Sequence, residues 1–373
     1  MAVSRARTEQ AHGATFVELF FDLVFVFAVT QVTALVHHDL SIIGVLRAGL
    51  VFWLVWWAWE QFAWTLNAAN ADHVGIRLGT LVSTAAAFFM AVMLPDAFTA
   101  DGWWFAVAYI IVKLVAFWMY GWVAVGDLQL QVAVKRFSLV SLAGLTAVAV
   151  GAALPAGPRT VALAAAVAAD IFSTWLARND EWRLFPGHFA ERHALFVIIA
   201  LGESLIAAGV ASGEGERTLA SATAATAAVI AACALWWTYF GSARKRLEQA
   251  FEQRVSAARG QFARDVYTLG HFPIVAGVIG FAVAIEEAVA HPVDRLEPPI
   301  VTALIVGVAL FVGGVALALI RAHRRIPVER AVMVVALVAA APLLGRVSAT
   351  AALAFAAALI TAVAVIEGVR SSG

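Results

Sequence analysis

Charged side chains are scarce in this sequence: Asp, Glu, Lys and Arg make up 13% of its 373 residues, against roughly 25% in a soluble domain. Cysteine occurs once, as Cys233 inside an apolar run, which excludes a disulfide framework and a thiolate metal site. The motifs of cofactor and nucleotide chemistry are missing as well. There is no phosphate loop, no G-x-G-x-x-G at a strand–helix junction, no H-E-x-x-H and no G-x-S-x-G elbow, so no cofactor and no metal are expected. No basic groove with interleaved aromatics is present, which speaks against nucleic acid as a partner. The formal net charge is zero and by itself says nothing of partners; in such a chain the placement of the bases is what informs.

Apolar residues, by contrast, make up 62% of the chain, the composition of an all-α, polytopic transmembrane helix bundle surrounded by membrane lipid. A spanning helix needs about 20 mostly apolar residues. Twelve windows qualify: 15–37, 44–66, 73–94, 101–126, 134–154, 157–178, 191–211, 218–241, 264–290, 298–321, 328–345 and 347–368. The first is longer than the ~7–15 residues of a signal-peptide core and carries two acids, so it reads as a retained span. The last two are separated only by Gly345-Arg346, where a re-entrant hairpin would look the same.

With the N-terminus inside, all but six of the 25 Lys and Arg fall in cytoplasmic segments, Arg5, Arg77, Arg178, Arg183 and Arg192 among them. The exceptions are Arg47, Arg159, Arg217, Arg295 and Arg346 on the opposite face and Lys113 inside the fourth window. This asymmetry predicts that both termini are cytoplasmic; the expected location is the plasma (cytoplasmic) membrane. The loop 242–263 alternates bases with acids at helical spacing and predicts a short amphipathic helix.

Two stretches echo each other at a constant offset. "LVFVFAVTQVTALV" from Leu23 aligns with "LFVIIALGESLIAAGV" from Leu195, and Trp56 and Trp57 then correspond to Trp236 and Trp237. This spacing predicts a parallel 6+6 repeat, with halves at 1–180 and 181–373, about an axis along the membrane normal; chance alignment of apolar sequence is the competing explanation.

The first window also carries "ELFFDLVFVFAV" from Glu18. It resembles the signature of the bacterial low temperature requirement protein A (LtrA) family. "ERHALFVIIALGESLIA" from Glu191, "WWTYF" from Trp236 and "YTLGHFPIVAG" from Tyr267 resemble three further signatures of that family. The resemblance runs from about residue 15 to residue 290. It implies a membrane protein connected with growth in the cold and supplies no molecular activity and no site residues.

An ionisable group at mid-bilayer costs ~2.5–3.5 kcal/mol on insertion scales, so each one needs a partner or a task. Depth along the spans sorts them into two layers. Asp22 and Glu60 lie roughly 10 Å in at ~1.5 Å per residue, near the levels of Arg77, Asp170 and His271, and Glu18 shares the Asp22 face at i, i+4. These predict a polar layer opening to the cytoplasm, in which Glu18 and Asp22 meet Arg77, His271 or water; fixed ion pairs that set packing register are the alternative. At the midplane Lys113 and Glu203 are expected to pair, with Gly202 and Gly209 allowing close approach. The second window adds a stripe of Trp53, Trp56, Trp57, Glu60, Trp64 and Asn67, either packed core or the wall of a cavity for a cation or a flat apolar group. Tyr267 and His271 share a face, and Pro273 is expected to kink the helix just beyond them.

Three functions are compatible with this pattern. A proton- or ion-coupled secondary transporter or permease for a small molecule would use Glu203 and Lys113 for coupling and Asp22, Arg77 and His271 as a proton path. A membrane-embedded enzyme acting on a lipid or isoprenoid would use Asp22 or Asp170 as general acid. A membrane scaffold supporting growth in the cold would use these charges for folding alone.

Overall fold

In a computed structural model of the chain, residues 6–8, 13–177, 180–214 and 218–372 are described. Arg5, Arg178 and Arg217 of the charge alternation lie outside them. The described residues are helical, with two isolated bridges, Arg7 to Ala69 and Arg295 to Ser348, in place of strands. The helices are α1 Phe16–His38, α2 Ile42–Ala68, α3 Val74–Val92, α4 Trp103–Ala124, α5 Leu128–Ala152, α6 Ala156–Leu176, α7 Pro186–Glu214, α8 Leu219–Phe240, α9 Ala243–Glu252, α10 Ser256–Phe262, α11 His271–Ala290, α12 Pro298–His323, α13 Val328–Ala339, α14 Ala341–Leu344 and α15 Ala349–Ser372. Among the described residues eleven helices are long and apolar enough to cross a membrane. Large apolar side chains such as Phe16, Ile42, Leu128 and Leu219 stand exposed, the surface expected of a protein solvated by lipid. The chain is a multi-pass membrane protein.

Two compact units divide the chain. The first comprises Met1–Leu35, Ile42–Leu195 and Phe251–Arg264. At its centre is α2, whose side chains are buried without a break from Leu54 to Ala63, as befits a helix apolar on all sides. By contrast α6 buries one stripe, Arg159, Leu163, Ala166, Asp170 and Ser173, at alternating steps of four and three. Buried Arg159 ties the turn after α3 to the last turn of α5 by donating to the carbonyls of Ala97 at 3.1 Å and Gly151 at 3.2 Å. At the other end of this unit, Asn70 N–H donates to Ala6 at 2.8 Å, and Arg7 lies 3.6 Å from Asp127.

The second unit comprises Val36–Ser41, Phe196–Ala250 and Asp265–Gly373. Within it α11 and α12 touch backbone to backbone. A Cβ on Gly277 would fall 2.6 Å from the Gly307 carbonyl oxygen, and one on Gly307 would fall 2.4 Å from the Phe281 nitrogen. Gly202 and Gly209, expected to allow such an approach, have open space where a Cβ would be; the small residues that matter are elsewhere. Helix α11 is also not kinked by Pro273. The irregularity precedes it, as a π-helical turn at Ala263–Thr268, and Pro273 sits in the first turn of the helix that restarts at His271, where its missing N–H costs nothing. The carbonyl left free there is that of Val266, which accepts from His271 Nδ1 at 2.9 Å.

The window 328–345 is not one spanning helix. It breaks at Ala340, just before Pro342, into α13 and α14. Its start is fixed beside the end of α15, where Arg330 grips Glu367 at 2.6 and 2.8 Å. Its finish leads into the start of α15, where Ala349 N–H donates to Asp294 at 2.7 Å in the loop ahead of α12. The segment thus runs antiparallel to α15 from one end of it to the other.

The packing at Gly307 gives an expected outcome. Gly307→Ala should lower the thermal unfolding temperature in detergent by overpacking worth about 1–3 kcal/mol. Gly202→Ala, with open space and better helix propensity, should leave it unchanged or raise it.

Candidate functional site

The first unit encloses a charge centre assembled from α1, α2 and α7. Its anchor is Thr15, which precedes the first turn of α1. Glu18 Oε2 accepts from the Thr15 N–H and from its hydroxyl, both at 2.8 Å, the backward reach of a capping-box carboxylate. One turn on, Asp22 lies on the same face. Both are fully buried, and Arg192 of α7 lies between them, buried as deeply. Its Nε donates to Asp22 Oδ2 at 3.3 Å, Nη2 donates to Asp22 Oδ1, and Nη1 donates to Glu18 Oε1 at 3.3 Å. This is the two-pronged geometry in which a guanidinium binds a carboxylate best. From α2, Trp59 Nε1 donates to Asp22 Oδ1 at 2.7 Å, while its ring lies 5.6 Å from the guanidinium carbon.

Two histidines of α7 complete the centre. His188 is flanked by Glu18, 3.1 Å from Nε2, and by Asn67 Nδ2, 3.0 Å from Nδ1. Asn67 is oriented by the backbone of Phe185, which accepts from Nδ2 at 3.1 Å and donates to Oδ1 at 2.8 Å. Since Nδ2 can only donate, His188 Nδ1 must accept, and the ring proton sits on Nε2, facing Glu18. His193 has the opposite arrangement. Its Nδ1 donates to the Phe189 carbonyl at 2.9 Å, and Nε2 lies 2.7 Å from Glu60 Oε1. Trp56 and Trp59 meet the His193 ring edge-on, at 6.2 and 5.0 Å. Phe185 also lines a surface cavity of about 270 Å³ with Trp182, Arg183 and Arg259, so the Asn67–His188 chain begins beside that cavity.

A second buried polar group lies off another face of α2. Lys113 Nζ of α4 is 3.2 Å from Ser141 of α5 and 3.8 Å from Asp170 Oδ1 of α6. Ser141 donates to Asp170 Oδ1 at 3.2 Å, and the Tyr109 and Phe117 rings lie 5.9 and 5.5 Å from the ammonium. One cation faces one anion, so this group is balanced. Trp57, stacked on Trp53 at 5.5 Å, stands beside Asp170.

The residues singled out from sequence are thus divided. Glu18, Asp22, Glu60 and Trp56 meet in one centre, and Lys113, Asp170 and Trp57 in another. Arg77 joins neither: it pairs with Asp72 in the adjoining turn, and the base serving Asp22 is Arg192. Lys113 pairs with Asp170 instead of Glu203. Depth counting treats each span as a rod seen from the side and ignores rotation, and the buried stripe of α6 turns Asp170 inward. Glu203 is half-buried on α7 in the second unit and has no salt bridge among the described residues. In that unit His271 Nε2 lies 2.7 Å from the Tyr239 hydroxyl, and Tyr267 stacks on the His271 ring at 5.2 Å. Trp236 and Trp237 are 37% and 53% exposed, unlike the buried Trp56 and Trp57, so the two Trp pairs differ in environment.

Sequence reasoning missed His188, Arg192 and His193 as members of the site. A seventh window opening at residue 191 puts Arg192 with the cytoplasmic bases. The helix starts five residues earlier, at Pro186, and proline at the first helical position was the available signal.

Removing Arg192 would strand two buried carboxylates. Arg192→Gln should therefore destabilise the protein by about 3–5 kcal/mol, read as thermal unfolding in detergent. Adding Asp22→Asn should recover part of that loss, as expected of a coupled pair.

Comparison with known proteins is consistent with this picture of a multi-pass helical protein. Residues 13–365 match the family described as bacterial low temperature requirement A protein (LtrA). The chain is 27% identical over 311 residues, covering 81% of its own length and 76% of the relative's, to the Uncharacterized protein RA0937 of Rhizobium meliloti (strain 1021). No solved structure matches it. A family match over nearly the whole chain, together with the apolar helices that carry its motifs, establishes that the chain belongs to the bacterial low temperature requirement A family.

Proposed function

We propose that the chain is an ion-coupled secondary transporter for a small molecule, and that the charge centre of the first unit is its coupling site. The observation that carries this reading is the surplus of negative charge: three carboxylates, Glu18, Asp22 and Glu60, face a single arginine, Arg192, with His188 fixed in a tautomer that leaves it uncharged. Uncompensated charge in a low-dielectric interior is costly. A proton or cation entering the centre relieves that cost, which gives the site affinity for one. The bases sit on α7 and the acids on α1 and α2, so occupancy alters how firmly α7 is held. Arg192 and His193 lie on α7, a helix that runs from Pro186 to Glu214.

The balanced Lys113–Asp170 pair has a packing role in this scheme. The enzyme reading is disfavoured by the same hydrogen bonds: a general acid needs a carboxyl free to give its proton to substrate, and Asp22 and Asp170 are both occupied by protein donors. The antiparallel run of α13 and α14 along α15 supports a further crossing beyond the eleven long helices, hence an even number, with both termini in the cytoplasm of the bacterial inner membrane. The exposed apolar side chains face lipid.

Purified protein in proteoliposomes, screened with small organic solutes under imposed pH and sodium gradients, tests the proposal. Gradient-dependent uptake should be lost with Asp22→Asn or Glu60→Gln and retained when Lys113→Met and Asp170→Leu are combined. Uptake indifferent to neutralising the charge centre would overturn it, as would conversion of an added lipid by the protein in detergent with no gradient.

A further inference from the structure

Each donor and acceptor around His193 is individually constrained. The Phe189 carbonyl can only accept, so His193 Nδ1 carries a proton. The opposite ring nitrogen lies 2.7 Å from Glu60 Oε1, a distance that requires a proton between them, either as imidazolium with carboxylate or as imidazole with carboxylic acid. Taking that proton away leaves two outcomes. A lone pair faces a carboxylate oxygen, or the ring proton moves to Nε2 and a lone pair faces the Phe189 carbonyl. Each breaks one of the two hydrogen bonds that position the ring.

The other carboxylates leave no room for a metal ion. Both oxygens of Asp22 accept from Arg192, and Oδ1 also accepts from Trp59. Both oxygens of Glu18 face His188, with Arg192 on one and Thr15 on the other. A hard cation needs several oxygen ligands at once, and these are surrounded by N–H and O–H donors. Among the described residues no cluster of three or more His, Cys, Asp or Glu is arranged to hold a metal.

We infer that the ion taken up by the charge centre is a proton, and that His193 and Glu60 carry it between them, one per site. Calling it the coupling ion rests on the transport reading; the proton site itself does not. Of the charged and titratable groups, Arg192 of α7 lies near Glu60 and binds Glu18 and Asp22 of α1, with His188 of α7 on Glu18, while the uncharged ring of Phe251 from α9 lies against Phe189 and Phe262 from α10 stacks on Phe251. Trp59 links the pair to the rest: its ring lies against His193 and its N–H holds Asp22. With the proton present the pair is neutral and the centre carries the surplus of Glu18 and Asp22 over Arg192. Without it one more negative charge is added, and the attraction of the centre for Arg192 rises.

The test is solid-state NMR of wild-type protein, labelled with 15N in histidine and reconstituted in lipid bilayers, over a range of pH. One histidine should keep its Nδ1 proton at low pH while its Nε2 resonance reports a strong hydrogen bond, and both should change together as pH rises; His193→Gln should remove that signal and Glu60→Gln should alter it. His188 should remain the Nε2–H tautomer. A His193 signal that does not respond to pH, or saturable sodium binding at constant pH lost in Glu60→Gln, would overturn the assignment. A titrating pair in a protein that moves no solute keeps the proton site and removes the transport reading. Sodium-driven uptake with a silent His193 does the reverse.

Discussion

A guanidinium shared by two carboxylates, all three shut away from solvent, is the interaction on which the first unit depends. Arg192 reaches Glu18 and Asp22 from α7 and so joins a helix midway along the chain to the first one. Such a group is held by geometry more than by net attraction, because the desolvation of three charges offsets most of what their pairing returns. Every remaining lone pair must therefore be satisfied, and the surroundings are built accordingly. Thr15 caps Glu18, Trp59 donates to Asp22, and Asn67, held by the Phe185 backbone, fixes which nitrogen His188 presents. The result is a centre in which each proton has one allowed position, with the exception of the one between His193 and Glu60.

The helix α2 separates two kinds of buried polarity. Glu60 and Trp59 look toward α1 and α7, where negative charge is in surplus. Trp57 looks toward α4, α5 and α6, where Lys113 and Asp170 balance and Ser141 bridges them. Equal depth in the membrane therefore does not mean equal chemistry. A balanced pair fixes how helices pack and asks for nothing from outside; an unbalanced centre has an affinity for positive charge, which is what a coupling site requires.

Much of this was legible in the sequence. Eleven of the twelve apolar windows correspond to long helices and the remaining one, 328–345, to a helix broken at Ala340, because length and hydropathy alone decide what a bilayer accepts, and the four motifs identified the family. Glu18, Asp22, Glu60, Lys113 and Asp170 stood out because a carboxylate or amine in an apolar run is expensive wherever it points. Their partners were harder to read. Arg77 looked suitable for Asp22 by depth, yet rotation about the helix axis places it beside Asp72. Two local signals were available, the Thr15-x-x-Glu18 cap and Pro186 at the head of α7; together they would have drawn Arg192 and both histidines inside. The two Trp pairs of the echo differ in environment: Trp56 and Trp57 are buried while Trp236 and Trp237 are exposed, which composition cannot distinguish.

Arg192 is inside the first unit, bound to Glu18 and Asp22, and not among the headgroups where a basic residue near the end of a span would ordinarily lie. A cryo-electron-microscopy map of the protein in lipid nanodiscs, sharp enough to show side chains, measures this directly. The expected result is continuous density from the Arg192 guanidinium to both carboxylates, with the Trp59 indole against Asp22. Density placing Arg192 outward at the membrane surface, with Asp22 turned to another base, would contradict it.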